Sequence, residues 1–151
     1  MPLRGVDDLA RTLQQRIPDE VVEAARDAIA TGADELVALM KSRVPRDQGA
    51  LAASIGWSFD GAPEGSISIG EFRGKEFGQI KATIYAGDAT TVVYNSRGVA
   101  FQNARIQEFG TRGGVPASDY FLGSYKTLRR RIRSRITRNV RAAIKKAYAN
   151  G

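Results

Sequence analysis

The 151-residue chain has no cysteine and no histidine. Disulfides, thiolate nucleophiles, zinc sites of the Cys/His type and histidine general bases are therefore excluded by inventory. No apolar run approaches the roughly 20 residues that a membrane-spanning helix needs. The first sixteen residues carry charges throughout and hold no continuous apolar core, so they do not read as a secretory signal, and the product is expected to stay where it is made. A subtler absence lies at the other end. From Tyr120 onward there is no Asp or Glu, while ten basic residues occur there: Lys126, Arg129, Arg130, Arg131, Arg133, Arg135, Arg138, Arg141, Lys145 and Lys146.

The whole chain holds 23 Lys+Arg against 16 Asp+Glu, which leaves 13 basic and 16 acidic residues for positions 1–119. The charge is thus divided between a mildly acidic body and a strongly basic end. With 42% hydrophobic residues, the length suits one compact domain spanning 1–151. No internal repeat, low-complexity tract or linker interrupts it.

Residues 119–149 read as one long helix. Phe121, Tyr125, Leu128, Ile132, Ile136, Val140, Ala143, Ile144 and Ala147 recur at steps of three and four and fall on a single stripe. Arg130, Arg131, Arg138, Arg141 and Lys145 then lie on the opposite side. A solvated helix face normally interleaves both signs, because like charges at i, i+3 and i, i+4 repel. A face of one sign suggests an anionic partner, either nucleic acid or an acidic surface of another subunit. Arg129 projects onto the apolar side, where it could snorkel at the edge or pair with a carboxylate of the body.

Upstream, residues 3–17 suggest a short amphipathic arm with Val6, Leu9, Leu13 and Ile17 on one face, ended by Pro18. A second helix is expected over 19–43, with Asp19, Glu20 and Glu23 in its first turn, Lys41 and Arg43 at its end, and Gly32 as a site of mild bending. Pro45 and Gly49 stop it. Four antiparallel strands are expected at 54–59, 66–72, 80–87 and 90–94, the first two as a hairpin and the whole as a meander with one apolar face covered by the two long helices. Val99 to Phe109 favours a short helix, and Ser118 or Asp119 is the expected cap of the long basic helix. The fold class is α+β.

Catalytic readings find little support. The glycines at 110–114 lack the Lys-Ser/Thr step of a nucleotide loop. Asp7 with Asp8, and Asp19 with Glu20, sit at expected helix starts, where carboxylates complement the helix dipole. Glu108 has no nucleophile or metal partner beside it in sequence. Trp57, Phe59 and Phe72 read as core or interface aromatics, since no basic residues interleave with them. No enzymatic step and no cofactor is expected.

Two separated patterns carry a family resemblance. The first is Pro45-Arg46-Asp47-Gln48-Gly49-Ala50-Leu51 followed by Ser54-Ile55, which resembles the "P-x-D-T-G-x-L-x-x-S-I" step of the siphophage minor tail components, also called neck or tail-completion proteins. The second is Glu108-Phe109-Gly110-Thr111 followed by Pro116 and Tyr120-Phe121-Leu122, which is similar to that family's "E-F-G-T … P … P-F-L" signature. The order and spacing both fit, and the likeness covers roughly residues 19–149. Gln48 replaces the usual threonine, and Tyr120 a common proline.

The resemblance implies a structural virion protein of a long-tailed phage or prophage, assembled in the host cytoplasm as a ring at the head-tail junction. Its implied partners are further copies of itself, the connector or stopper, the tail terminator or tube, and genomic DNA in the channel, with no membrane. In that setting Arg130, Arg131, Arg138, Arg141 and Lys145 would line the channel or meet an acidic neighbour. The glycine-rich stretches with Arg73, Lys75 and Glu76, and with Glu108, Phe109, Gly110, Thr111 and Arg112, would contact adjacent subunits or rings. The alternative is a small cytoplasmic DNA-binding module that uses the basic helix on its own account.

Overall fold

The computed structural model describes residues 19–73 and 80–149. The expected arm at 3–17 and the loop residues Lys75 and Glu76 lie outside the described residues. Two long helices frame the molecule: α1 (Asp19–Arg43) and α4 (Leu122–Ala149). Between them run a short helix α2 (Gly49–Ser54), strands β1 (Gly56–Ser58), β2 (Ile67–Arg73) and β3 (Lys81–Ala86), and a 3-10 turn (Ala89–Thr91). Strands β4 (Val92–Tyr94) and β5 (Ala100–Gln102) and a seven-residue helix α3 (Asn103–Phe109) complete the order. The α+β class and both long helices are as the sequence led us to expect, and α1 has the expected bounds.

The helices pack along one another. Arg43 reaches Ser124 at one end, and Gly32 faces Ile132 further along, so α1 and α4 run antiparallel. Gly32 is a packing residue, not only a tolerated break. A Cβ built there would stand 2.5 Å from Ile132 Cγ2, so the absent side chain lets the two helices approach. Ala25, Ala28 and Ala33 keep the rest of that face small, and Ile29, Leu36, Met40, Ile132, Ile136 and Val140 fill the space beneath. Every described apolar residue of the expected stripe in α4 is buried or half-buried. Arg129, by contrast, is exposed; Arg135 is the inward-lying cation, with its guanidinium 2.8 Å from Glu35.

The strands do not form a meander. In the three-stranded antiparallel sheet the order is β1-β3-β2, with Trp57 opposite Ile84 and Ile67 opposite Ala86. β1 and β2 are therefore not a hairpin. The connection between them is longer than a tight hairpin loop and turns at Gly61 and Gly65, both with positive φ, so it has the slack to cross over β3. β3 is buried on both faces, by Ala82, Ile84 and Ala86 on one and Thr83 on the other, and it takes the central place in the sheet. α1 covers this sheet, and α4 reaches it at β2.

β4 pairs with β5 in a separate two-stranded sheet. Residues 100–102, expected as the start of a helix, are thus strand, and the helix begins at Asn103. Gln102 makes the change of direction. Its side-chain oxygen accepts from the Thr91 hydroxyl and caps Ala104 N-H, while its amide donates to the carbonyls of Gly65 and Asp88. Between the Pro45-Gly49 stop and the strand expected at 54–59 the chain forms α2, which takes Ser54 from that strand. Ser54 at its end accepts from Gly87 N-H at 2.9 Å and so ties α2 to the end of β3.

Candidate assembly surfaces

The start of α4 is held by a residue of the preceding helix. Glu108, at the end of α3, is 2% exposed. Its carboxylate accepts from Phe121 N-H at 2.8 Å and Leu122 N-H at 2.9 Å, two of the donors that the first turn of a helix leaves unpaired. The first turn of α4 has no acidic residue of its own. Neither Ser118 nor Asp119 is this cap. Ser118 bonds back to Gln107 O through both its N-H and its hydroxyl, and Asp119, at φ 50°, lays its carboxylate over Gly123.

Burial pushes the Glu108 carboxyl above its ordinary 4.5; the neighbouring Asp119 carboxyl adds to the rise, and the two backbone donors oppose it. Tyr120 beside it is fully buried and donates its hydroxyl to Ala104 O at 2.9 Å, so the position where proline is common here bolts α3 to the start of α4. Burial and then the Glu108 charge raise the Tyr120 hydroxyl as well.

After Glu108 the chain turns outward. Gly110 has φ 72°, and a Cβ there would stand 2.6 Å from Val115 O, so only glycine fits. Thr111 closes the loop: its N-H donates to Val115 O, and its hydroxyl accepts from Val115 N-H. The loop borders an open concavity of about 460 Å³ lined by Phe109, Arg112, Val115 and Pro116 among others. Phe109 is 58% exposed, with Arg105 near its ring. Thr111 and Arg112 are also exposed, and Gly110 is half-buried. Glu108 differs from these neighbours, because it is turned inward and engaged with α4. Arg73 ends β2.

The β4-β5 hairpin is the surface that sequence reasoning missed. Val93 and Phe101 sit directly opposite one another at 41% and 45% exposure, and Tyr94, pointing to the other face, reaches 71%. Its tip is well ordered by Asn95, whose side-chain oxygen accepts from the N-H groups of Arg97 and Val99. The signal was present in the turn-forming Asn95-Ser96-Arg97-Gly98 between two apolar pairs, but Phe101 fitted a helical spacing equally well.

The third surface is the outside of α4. Arg130, Arg131, Arg138, Arg141 and Lys145 are all exposed, as are Lys126, Arg129, Arg133 and Lys146. At 28 residues the helix is about 42 Å long, so the basic face is an extended ridge and not a pocket. Among the described residues no cluster of His, Cys, Asp and Glu could hold a metal ion, and no helix is long and apolar enough to cross a membrane.

The first sequence pattern is tied to the helix that leads into the second. Gln48, in the first, accepts from the Asn103 side chain at 2.7 Å, at the start of the helix that carries Glu108. No curated protein and no solved structure matches the chain. A family model does: the HK97-gp10-like model, describing a bacteriophage tail component, matches residues 7–110. That stretch is well over half of the chain and includes α1, the sheet, the hairpin and α3 with Glu108. The chain therefore belongs to the HK97-gp10-like family of bacteriophage tail components.

Proposed function

We propose that this tail component is a ring-forming structural protein of the head-tail junction, which joins the connector to the tail tube and surrounds the path of the DNA. The observation that carries this reading is the outer ridge of α4, a rigid, extended face of one charge sign in a structural phage protein. In a ring such faces repel unless an anionic surface compensates them, whether the genome in the channel or an acidic protein face. The exposed aromatic and aliphatic groups of the hairpin and the 109–117 loop supply apolar contacts to neighbouring subunits or rings.

Quantitative peptide mass spectrometry on purified particles tests the placement. A few copies per particle, far below the capsid protein and comparable with other neck proteins, is the expected result; particles that form without the protein would remove the reading. A variant with Arg130, Arg131, Arg138, Arg141 and Lys145 changed to glutamine should fold normally yet leave heads and tails unjoined or genomes lost. Tight binding of duplex DNA by the isolated monomer at moderate salt would instead favour an independent DNA-binding module.

A further inference from the structure

The outer face of α1 carries the opposite charge, in a matching pattern. Its deeply buried residues, from Val21 through Ile29 and Leu36 to Met40, define an inner stripe, and directly opposite lie Glu20, Glu23, Asp27 and Asp34, all exposed. Asp34 is oriented by Trp57, whose indole N-H donates to it at 2.8 Å. Glu20 and Asp34 stand fourteen residues apart, about 21 Å of helix. Arg131 and Lys145, which bound the basic set on α4, stand fourteen residues apart as well, the same length. Taken antiparallel, the spacings agree to within one residue: seven, four and three from Asp34 back to Glu20, against seven, three and four from Arg131 to Lys145. A parallel alignment leaves one of the four acids without a counterpart.

We infer that the outer face of α4 docks on the outer face of α1 of a second copy of this chain, with Arg131, Arg138, Arg141 and Lys145 opposite Asp34, Asp27, Glu23 and Glu20. Among the described residues, the ion pair between α1 and α4 within one copy is Glu35 with Arg135, and it uses none of these eight groups. The inference rests on the ring reading above and names the acidic surface that reading requires.

The register has a geometric consequence. Within one copy the Gly32-Ile132 and Arg43-Ser124 contacts set Arg131 level with Asp34 and Lys145 level with Glu20. A neighbour's α1 paired as proposed stands at the same height as the copy's own α1. The contact joins two different surfaces, so it propagates from copy to copy. Without a step along the helix axis, such propagation does not climb as a filament, and it closes into a ring of alternating α1 and α4 helices where the turn per copy divides the circle.

The absence of native cysteine makes the test direct. Asp27→Cys on one copy and Arg138→Cys on another are expressed together during particle assembly and treated with a short bis-maleimide. The expected product is a dimer containing one of each variant, and chains carrying both substitutions should give a ladder of higher oligomers. In parallel, Arg138→Glu with Arg141→Glu should lower the yield of joined particles by about ten-fold or more, since like charges then face each other. Adding Glu23→Arg and Asp27→Arg to the same chain should restore it, with unchanged thermal melting as the folding control. Ring-like copy number in particles without the 27–138 link and without rescue would overturn this interface while leaving the ring reading intact. In that case, genome loss from the Arg138→Glu/Arg141→Glu particles would assign the ridge to DNA. Absence of the protein from particles would remove the ring reading and this inference together.

Discussion

The paired helices and the β4-β5 hairpin treat their apolar side chains in opposite ways. α1 and α4 bury Ile29, Leu36, Met40, Ile132, Ile136 and Val140 against one another and the sheet, and they leave charge outside. The hairpin, with three residues in each strand, leaves Val93 and Phe101 open on one face and Tyr94 on the other. Isolated hairpins of this size are marginal in water. The contrast teaches that the first region completes its apolar packing within one copy, whereas the second leaves apolar surface open.

The largest change should come from breaking the helix pair at its closest point. Gly32→Val places a branched side chain where a single Cβ already meets Ile132 Cγ2, and we expect a loss of about 3 kcal/mol in urea unfolding. Gly32→Val combined with Ile132→Ala should cost less than the two changes summed, because each relieves part of the other. Additive costs would mean that the two helices do not depend on this contact.

Next in size is Glu108→Ala, which strands the N-H groups of Phe121 and Leu122 in a buried place and should cost about 2–3 kcal/mol. Glu108→Gln keeps one acceptor and should cost less. It also isolates the pH dependence. The Glu108 carboxyl is raised above 4.5 in the folded protein, so the folded state holds its proton more tightly than the unfolded chain does. The linked stability is full below the unfolded value and is lost as pH rises through the raised folded value. Glutamine cannot lose a proton. The advantage of wild type over Glu108→Gln should therefore shrink as pH rises from about 4 through the raised folded value, read from urea midpoints at each pH. A constant difference would mean that the carboxyl titrates alike in both states.

The smallest effect on stability should follow Tyr94→Ser with Phe101→Ser. Loss of these exposed groups should change the unfolding free energy by less than about 1 kcal/mol. Particle joining should fall nonetheless, and normal joining would show that the hairpin's apolar surface has no partner.

What was legible in the sequence follows the same division. Both long helices announce themselves because a 3.6-residue period repeated over seven or eight turns overrides local ambiguity, and the bounds of α1 are marked by Asp19, Glu20 and the Val44-Pro45 stop. The basic ridge could be read from residue numbers alone. Strand order could not, because alternation fixes which face a residue takes but not which strand lies beside it; β3 between β1 and β2 is a long-range choice. The cap of α4 was invisible for a similar reason. Local rules point to Ser118 and Asp119, whereas the acceptor is Glu108, thirteen residues before the first N-H it serves.

That borrowed cap separates how α4 is held from what α4 displays. The matched family stretch ends at Gly110 and so contains the socket, Glu108, but not the helix that plugs into it. The socket reads two backbone N-H groups, which every helix start possesses whatever its side chains, and Tyr120 and Phe121 fill the space beneath. A helix with another outer surface, acidic or apolar, could be seated by the same two bonds. The design is modular, and changing the exterior of α4 should redirect what the protein joins without rebuilding the body that carries it.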